Sequence, residues 1–337
     1  MTEKRVLIIG SSNMDLALNV YRVPAPGETV VDDGGVAYTP GGKGANAAVA
    51  FSRLGANVVF ATRLGVDAHG RQLYNYYKEE GIDTSYIKVD RDFPTGFSVV
   101  MKESGGENRI IVYPGANTHI SAENMVEAFS SAPDALFLGF EIGFDAALTA
   151  ARIAASRRIP IFLDAAPADK RFPLENLPYC EVFSPNETET FEYTGVMPSG
   201  ADSSLKAALA LYRRVNCKYL VIKQGSRGAS VYDGKHFDMI PAHRIDKVVD
   251  TTAAGDTFSA AMTLEYLRSA DIKSAVRYGA AAAAIEVSRE GASSSVPTKE
   301  EVERFISERR SYELQLFRNV VSVSRRKKYR VCMPIYP

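Results

Sequence analysis

Val249-Asp250-Thr251-Thr252-Ala253-Ala254-Gly255-Asp256-Thr257-Phe258 decides how this chain is read. It leaves an apolar run, Lys247-Val248-Val249, that reads as a strand end. It then crosses a small-residue turn and enters a helix-compatible run at 258–267. The Ala253-Ala254-Gly255 turn carries almost no side-chain bulk, so its backbone N–H groups can close on a ligand. Those groups stand at the positive end of the following helix, where an anion such as a transferring phosphoryl group is stabilised. Asp256 would project a carboxylate into that electropositive pocket, placed to take a proton from an alcohol. Simple helix capping by Asp256 and Thr257, with Gly255 present for the turn, accounts for the same residues without chemistry. The segment alone leaves both readings open.

A second segment, Pro40-Gly41-Gly42-Lys43-Gly44-Ala45-Asn46, leads into Ala47-Ala48-Val49-Ala50-Phe51-Ser52-Arg53-Leu54-Gly55. The latter reads as a helix closed by a glycine C-cap. Three glycines at its entrance let a substrate approach the backbone, while Lys43 and Asn46 supply polar contacts. This is not a Walker loop, because Gly44 follows Lys43 where Ser or Thr is required. Gly42, Gly44 and Ala47 match G-x-G-x-x-A loosely, which brings a dinucleotide-binding protein into view. The loop does not follow the first strand, however, and a lysine is no part of that fingerprint.

The chain has 337 residues, 46% of them hydrophobic, enough for one sizeable α/β domain with a smaller appendage. Lys+Arg and Asp+Glu number 40 each, so no global field draws nucleic acid or a membrane surface. Cys180, Cys217 and Cys332 are widely spaced and fit reduced thiols in a cytoplasm. The first strand begins almost at once, and no apolar run approaches a membrane span, so a cytoplasmic protein is expected.

Residues 6–9, 58–62, 135–138, 161–163, 182–184 and 219–222 read as buried parallel strands. Helical stretches at 70–80, 145–156 and 204–215 lie between them. This is the pattern of an α/β fold: an open, mostly parallel sheet with helices on both faces. Two regions, 16–38 and 95–113, break it. They hold runs such as Thr29-Val30-Val31 and Phe97-Ser98-Val99-Val100-Met101 with Gly-rich turns and no helix, and read as a small separate antiparallel sheet. The alanine run 279–284 reads as a close-packed helix. Beyond Arg309 the character changes, with a basic cluster at 324–330.

Together, the GGKGAN and DTTAAGDTF segments resemble the paired signatures of the ribokinase (PfkB) family of sugar and nucleoside kinases. Gly10-Ser11-Ser12-Asn13-Met14-Asp15, Ser184-Pro185-Asn186-Glu187-Thr188-Glu189, Gly225-Ser226-Arg227-Gly228 and Gly291-Ala292-Ser293-Ser294-Ser295 extend the resemblance from about Arg5 to about Arg309. It implies a kinase domain over 1–309, with a β lid from 16–38 and 95–113 whose outer face forms a homodimer contact. The 310–337 extension lies outside it.

The activity implied is transfer of the γ-phosphoryl of ATP to a small sugar, D-ribose to ribose 5-phosphate. Asp256 would be the general base, and the N–H groups of Ala253, Ala254, Gly255 and Asp256 the anion hole. The resemblance further implies that Asn13, Asp15, Gly42, Lys43, Gly44, Ala45, Asn46 and Glu141 hold the sugar. Asn186, Lys223, Gly225, Ser226, Arg227, Gly228 and Gly255 would line the nucleotide. Mg²⁺ would be held at Asn186 and Glu189 through water, and K⁺ at Asp250, Thr252, Glu286, Arg289, Gly291 and Ser295. Ala280 departs from the pattern, because Asn or His is usual at that position beside adenine. Deoxyribose, 2-keto-3-deoxygluconate, fructose and nucleosides remain alternative acceptors. A non-catalytic sugar-responsive protein of the same fold is another reading, although a sensor needs no Asp256.

Overall fold

The structure, a computed structural model, describes residues 3–31, 34–103 and 108–309; the basic extension from 310 onward lies outside them. Strand β1 (Arg5–Ile9) is followed by β2 (Asn13–Val20), β3 (Val36–Gly41), helix α1 (Lys43–Arg53), β4 (Asn57–Ala61), β5 (Arg63–Gly65), α2 (Ala68–Glu79), β6 (Lys88–Asp90), β7 (Gly96–Glu103), β8 (Asn108–Tyr113) and α3 (Ala122–Ala128). The second half runs through β9 (Ala135–Leu138), α4 (Phe144–Ser156), β10 (Ile161–Asp164), β11 (Cys180–Ser184), α5 (Glu187–Thr194), α6 (Ala201–Tyr212) and β12 (Cys217–Lys223). The hairpin β13 (Ala229–Tyr232) and β14 (Phe237–Ile240) comes next, then α7 (Ala254–Ser269) and α8 (Ile272–Glu286).

The main sheet has the order β14-β13-β12-β11-β10-β9-β1-β4. It is parallel from β4 to β12 and antiparallel only in its terminal hairpin. Apolar residues alternate to its two faces. Val6, Ile8, Phe60 and Phe162 pack with α1, α7 and α8. Leu7, Ile9, Leu136 and Leu163 pack with α3, α4 and α6. Each such side chain contributes roughly 1.5–3 kcal/mol on full burial, which is why the continuous apolar strands are legible. The alanine run lets α8 lie close on α7, where a Cβ at Gly279 would come within 2.8 Å of the Phe258 carbonyl oxygen.

A second sheet, β3-β2-β7-β8, rises from the carboxyl ends of the body strands. Its two outer pairings are antiparallel, and β2 pairs with β7 in parallel. Two expected strand segments are not strands. Thr29-Val30-Val31 lies outside the ladder; the preceding stretch carries Pro24 and Pro26, which lack a ladder donor, and turns at Gly27 with φ 82°. Lys247-Val248-Val249 is an extended loop whose Val249 N–H is taken by the Val287 carbonyl at 2.7 Å, beyond the end of α8. Among the described residues no helix is long and apolar enough to cross a membrane.

Candidate active site

The N-terminus of α1 rests directly on the turn between β1 and β2, and glycine makes that approach possible. A Cβ on Gly44 would stand 2.6 Å from the Gly10 backbone, and Gly42 adopts φ 89°. The contact is fastened by Ala45 N–H to the Ser11 carbonyl at 2.9 Å. Glu141, just beyond β9, accepts from the Lys43 N–H at 2.9 Å and from the Ser11 hydroxyl. A carboxylate thus sits on the positive end of α1. Asn46, one turn in, donates its Nδ2 to Asp256 Oδ2 at 2.9 Å, and Lys43 Nζ lies 3.8 Å from Asp256 Oδ1. The two glycine-rich segments, 210 residues apart, therefore meet at one carboxylate.

Asp256 is 5% exposed on the first turn of α7. Burial pushes its pKa up, against the pull of the Lys43 ammonium, which Asp256 in turn holds above the usual lysine range. Ala253, the residue before α7, takes φ 66°, a left-handed conformation uncommon outside glycine. The first-turn N–H groups of a helix have no intrahelical acceptor. Ala253, Ala254, Gly255 and Asp256 all line the adjoining cleft.

On the lid side, Asp15 accepts from the Ser98 hydroxyl at 2.6 Å. Burial pushes its pKa up to about 6, the Ser98 bond offsetting part of this while Glu141 and Asp256 add repulsion. Glycine at 41 leaves room for this carboxylate, since a Cβ there would fall 1.9 Å from Asp15 Oδ2 and displace it. Asn13 Oδ1 accepts from Asn117 Nδ2 at 2.7 Å, and Asn117 Oδ1 accepts from the Ser12 N–H at 2.8 Å. Asn13, Asp15, Lys43, Asn46, Glu141 and Asp256 are thus brought together. Ser98 and Asn117, which help orient them, lie outside the motifs, and Ser11 lies inside the Gly10–Asp15 motif without a role assigned to it there.

On the other side of Asp256 opens a cleft of about 840 Å³, within the size range of small-molecule sites. Asn186, Lys223, Gly225, Ser226, Gly228 and Gly255 line it, and Ala280, Ala283, Ala284 and Val287 form an apolar wall. Arg227 does not line it; it pairs with Glu187 and donates to the Pro198 carbonyl at 2.9 Å. Asn186 and Glu189 form a capping box on α5: Glu189 N–H to Asn186 Oδ1 at 2.8 Å and Asn186 N–H to Glu189 Oε2 at 2.7 Å. Burial pushes the Glu189 carboxyl up.

Asp164 is the main residue that the sequence reading missed. It ends β10, is 5% exposed, and accepts from Lys223 Nζ and from the Ser259 hydroxyl at 2.7 Å. Burial alone would raise its pKa; Lys223 and Lys43 outweigh that and hold it down. Its position after an apolar parallel strand is the signal that also marked Glu141.

The residues expected around a monovalent ion are close in space but engaged with one another. Asp250 Oδ1 accepts from the Thr252 N–H at 2.9 Å and hydroxyl at 2.6 Å, while Oδ2 accepts from Lys102 Nζ at 2.6 Å. The Glu286 carbonyl accepts from the Arg289 N–H at 2.9 Å, and the Ser295 hydroxyl donates to the Gly291 carbonyl at 2.8 Å. Arg289 extends its side chain away to Glu301 at 2.6 Å. The Glu286 carboxyl is fully buried, with no hydrogen bond of good geometry among the described residues, and burial pushes it up to about 8 against the lowering pull of the nearby Thr257 and Ser295 hydroxyls.

A buried base between a polar basket and a nucleotide-sized cleft is what an ATP-dependent phosphotransferase acting on a small alcohol requires. Comparison with known proteins narrows the class. Residues 3–299 match the pfkB family carbohydrate kinase description. The chain is 35% identical over 306 residues to a ribokinase of Haemophilus influenzae, covering 90% of this chain and 98% of that one. It is 34% identical over 306 residues to a ribokinase of Staphylococcus aureus, covering 90% and 99%. The structure of Arabidopsis thaliana ribokinase complexed with ribose and ATP superposes with a TM-score of 0.81 at 29% identity, covering 90% of this chain and 99% of that one. The chain belongs to the pfkB family of carbohydrate kinases.

Proposed function

We propose that the protein phosphorylates D-ribose to ribose 5-phosphate with ATP, using Asp256 as general base. The observation that carries this reading is the Asp256 carboxylate, buried on the first turn of α7 and fastened by Asn46 and Lys43 between basket and cleft. The basket of Asn13, Asp15, Gly42, Lys43, Gly44, Ala45, Asn46 and Glu141 would take the sugar, its carboxylates accepting from adjacent hydroxyls. Asp256 removes the proton of the attacking hydroxyl, and the N–H groups of Ala253, Ala254, Gly255 and Asp256 receive the charge developing on the transferred group. Asn186, Lys223, Gly225, Ser226 and Gly228 lie along the ATP, with purine contact apolar at Ala280.

Asn186 and Glu189 fit Mg²⁺ through water: each Glu189 oxygen accepts one hydrogen bond from Asn186, leaving lone pairs free for a hydrated ion. Magnesium bound there would neutralise phosphate charge. The arrangement does not fit K⁺ in the same way, because the Lys102 ammonium, itself a cation, already sits on Asp250 Oδ2 and Oδ1 accepts twice from Thr252.

Residues 1–309 form the catalytic unit in this reading, with 310–337 as an added basic extension. Dimerisation through the lid is supported by its exposed Val36, Tyr38, Ile111 and Tyr113. A cytoplasmic setting is supported by Cys180 and Cys217, which face each other across β11 and β12 as free thiols. The test is ADP release measured with ribose, 2-deoxyribose, fructose, 2-keto-3-deoxygluconate and adenosine. Ribose is expected to give the highest kcat/KM. A higher value for another acceptor would replace ribose, and no turnover with any of them would overturn the kinase reading.

A further inference from the structure

Strand β7 alternates its side chains, so Gly96, Ser98, Val100 and Lys102 share the face that pairs in register with Asn13, Asp15, Ala17 and Asn19 of β2. Ser98 uses that face to reach Asp15. Two pairs further along, Lys102 reaches from the lid to the body, where its Nζ sits 2.6 Å from Asp250 Oδ2. Asp250 belongs to the loop that becomes, through Thr252 and the left-handed Ala253, the first turn of α7. The ammonium therefore fixes the backbone whose N–H groups face the transferred charge.

We propose that Lys102 is the tethered cation of the Asp250 loop, supplying from the lid the single positive charge that a free monovalent ion would supply, so that catalysis does not depend on K⁺. An ammonium matches K⁺ in charge and directs its N–H groups at the carboxylate. Being covalently carried, it forfeits less freedom on docking than an ion taken from solution. Lys102 touches neither sugar nor phosphate and acts as a positioning residue. Because β7 also carries Ser98, one strand braces the sugar-side carboxylate and the anion-hole loop together. The inference rests on the kinase reading above.

The experiment compares wild type, Lys102→Met and Lys102→Arg in the chlorides of K⁺, Na⁺ and tetramethylammonium at fixed ionic strength, ATP and Mg²⁺. It reads both kcat with ribose and thermal unfolding. Wild type and Lys102→Arg are expected to show the same kcat and Tm in all three salts. Lys102→Met should lose about tenfold to a hundredfold in kcat in tetramethylammonium, less than the roughly 10²–10³ lost with an oxyanion-hole donor itself, because Lys102 acts through the loop. K⁺ should restore most of that loss and now raise the Tm. A wild type activated by K⁺ with a K⁺-dependent rise in Tm overturns the proposal. So does a Lys102→Met protein equally active in every salt. The unfolding measurement needs no turnover, so failure of the sugar-kinase reading would show as an inactive wild type while the Tm comparison still judges Lys102.

Discussion

Gly44→Ala tests whether the active site depends on how closely α1 approaches the β1–β2 turn. The added Cβ would stand 2.6 Å from the carbonyl carbon and Cα of Gly10 and from the nitrogen of Ser11, all backbone atoms that cannot rotate away. Lifting that contact to 3.4 Å, where ordinary van der Waals contact begins, requires a retreat of about 0.8 Å. The same shift applied to the Lys43 N–H···Glu141 and Asn46···Asp256 bonds, both 2.9 Å, would take them past hydrogen-bonding distance. Two magnitudes oppose each other. Alanine is a better helix former than glycine by about 1 kcal/mol in a helix interior, less in the first turn. Overpacking costs roughly 1–3 kcal/mol. At 2.6 Å from three backbone atoms the second wins, so the Tm should fall. Misplacing a catalytic constellation by about 1 Å can cost on the order of 10²-fold, and kcat/KM for ribose should fall on that scale. The assays are ADP release and thermal unfolding, with Gly200→Ala as control because its added methyl meets nothing within 4 Å. A Gly44→Ala protein with raised Tm and near-normal kcat/KM would refute the reasoning, since only a loose contact could give both.

Asp256→Asn should lower kcat by roughly 10²–10⁴ while ATP binding by calorimetry stays near wild type, because a proton acceptor is lost and the shape is kept. Asp15, raised to about 6, gains its proton as the pH falls through that value and then no longer accepts from two sugar hydroxyls. The kcat/KM for ribose should therefore drop below about pH 6, and Asp15→Asn should show a low, flatter profile there. The same shift has the opposite sign for stability. The folded state binds this proton more tightly than the unfolded chain, so Asp15's contribution is full below 3.8 and is lost as the pH rises through about 6. Lys223→Met removes the ion-pair partner of buried Asp164, leaving it the Ser259 hydroxyl and the more distant Lys43 charge, and should cost up to about 3–5 kcal/mol in thermal or denaturant unfolding. Adding Asp164→Leu should recover most of that stability without restoring the ATP KM, and a double variant with wild-type ATP KM would exclude Lys223 from the nucleotide site.

The parts of this site legible in the sequence are those whose chemistry is local. Small residues around Gly44 and Gly255 announce a close backbone approach whatever surrounds them, and the apolar strands announce a buried parallel sheet. The turn leading into α7 was readable for that reason, although the apolar residues before it gave a false strand: Val249 spends its N–H on Val287 rather than on a strand neighbour. Thr29-Val30-Val31 misled for a similar reason, because β-branched composition says nothing about whether a ladder partner is available.

What stayed hidden depends on register between distant segments. β2 and β7 pair in parallel although Asn13 and Gly96 are far apart in the chain, and alternation within either strand cannot reveal which face meets the body. Lys102 is therefore an ordinary lid lysine until that register is known, and only then does it fall opposite Asp250. Asp164 shows the complementary case. The rule that selected Glu141, an acid at the carboxyl end of an apolar parallel strand, applies equally to the Asp that closes Ile161-Phe162-Leu163. What separated them was the family resemblance, which supplied a role for one and not the other. The structure removes that asymmetry, since Asp164 shares its lysines with the cleft and the basket: Lys223 bonds it directly and Lys43 helps hold it ionised. A buried carboxylate tied to both the cleft lysine and the basket lysine sets where those two charges stand, so its geometry bears on the nucleotide and the sugar at once.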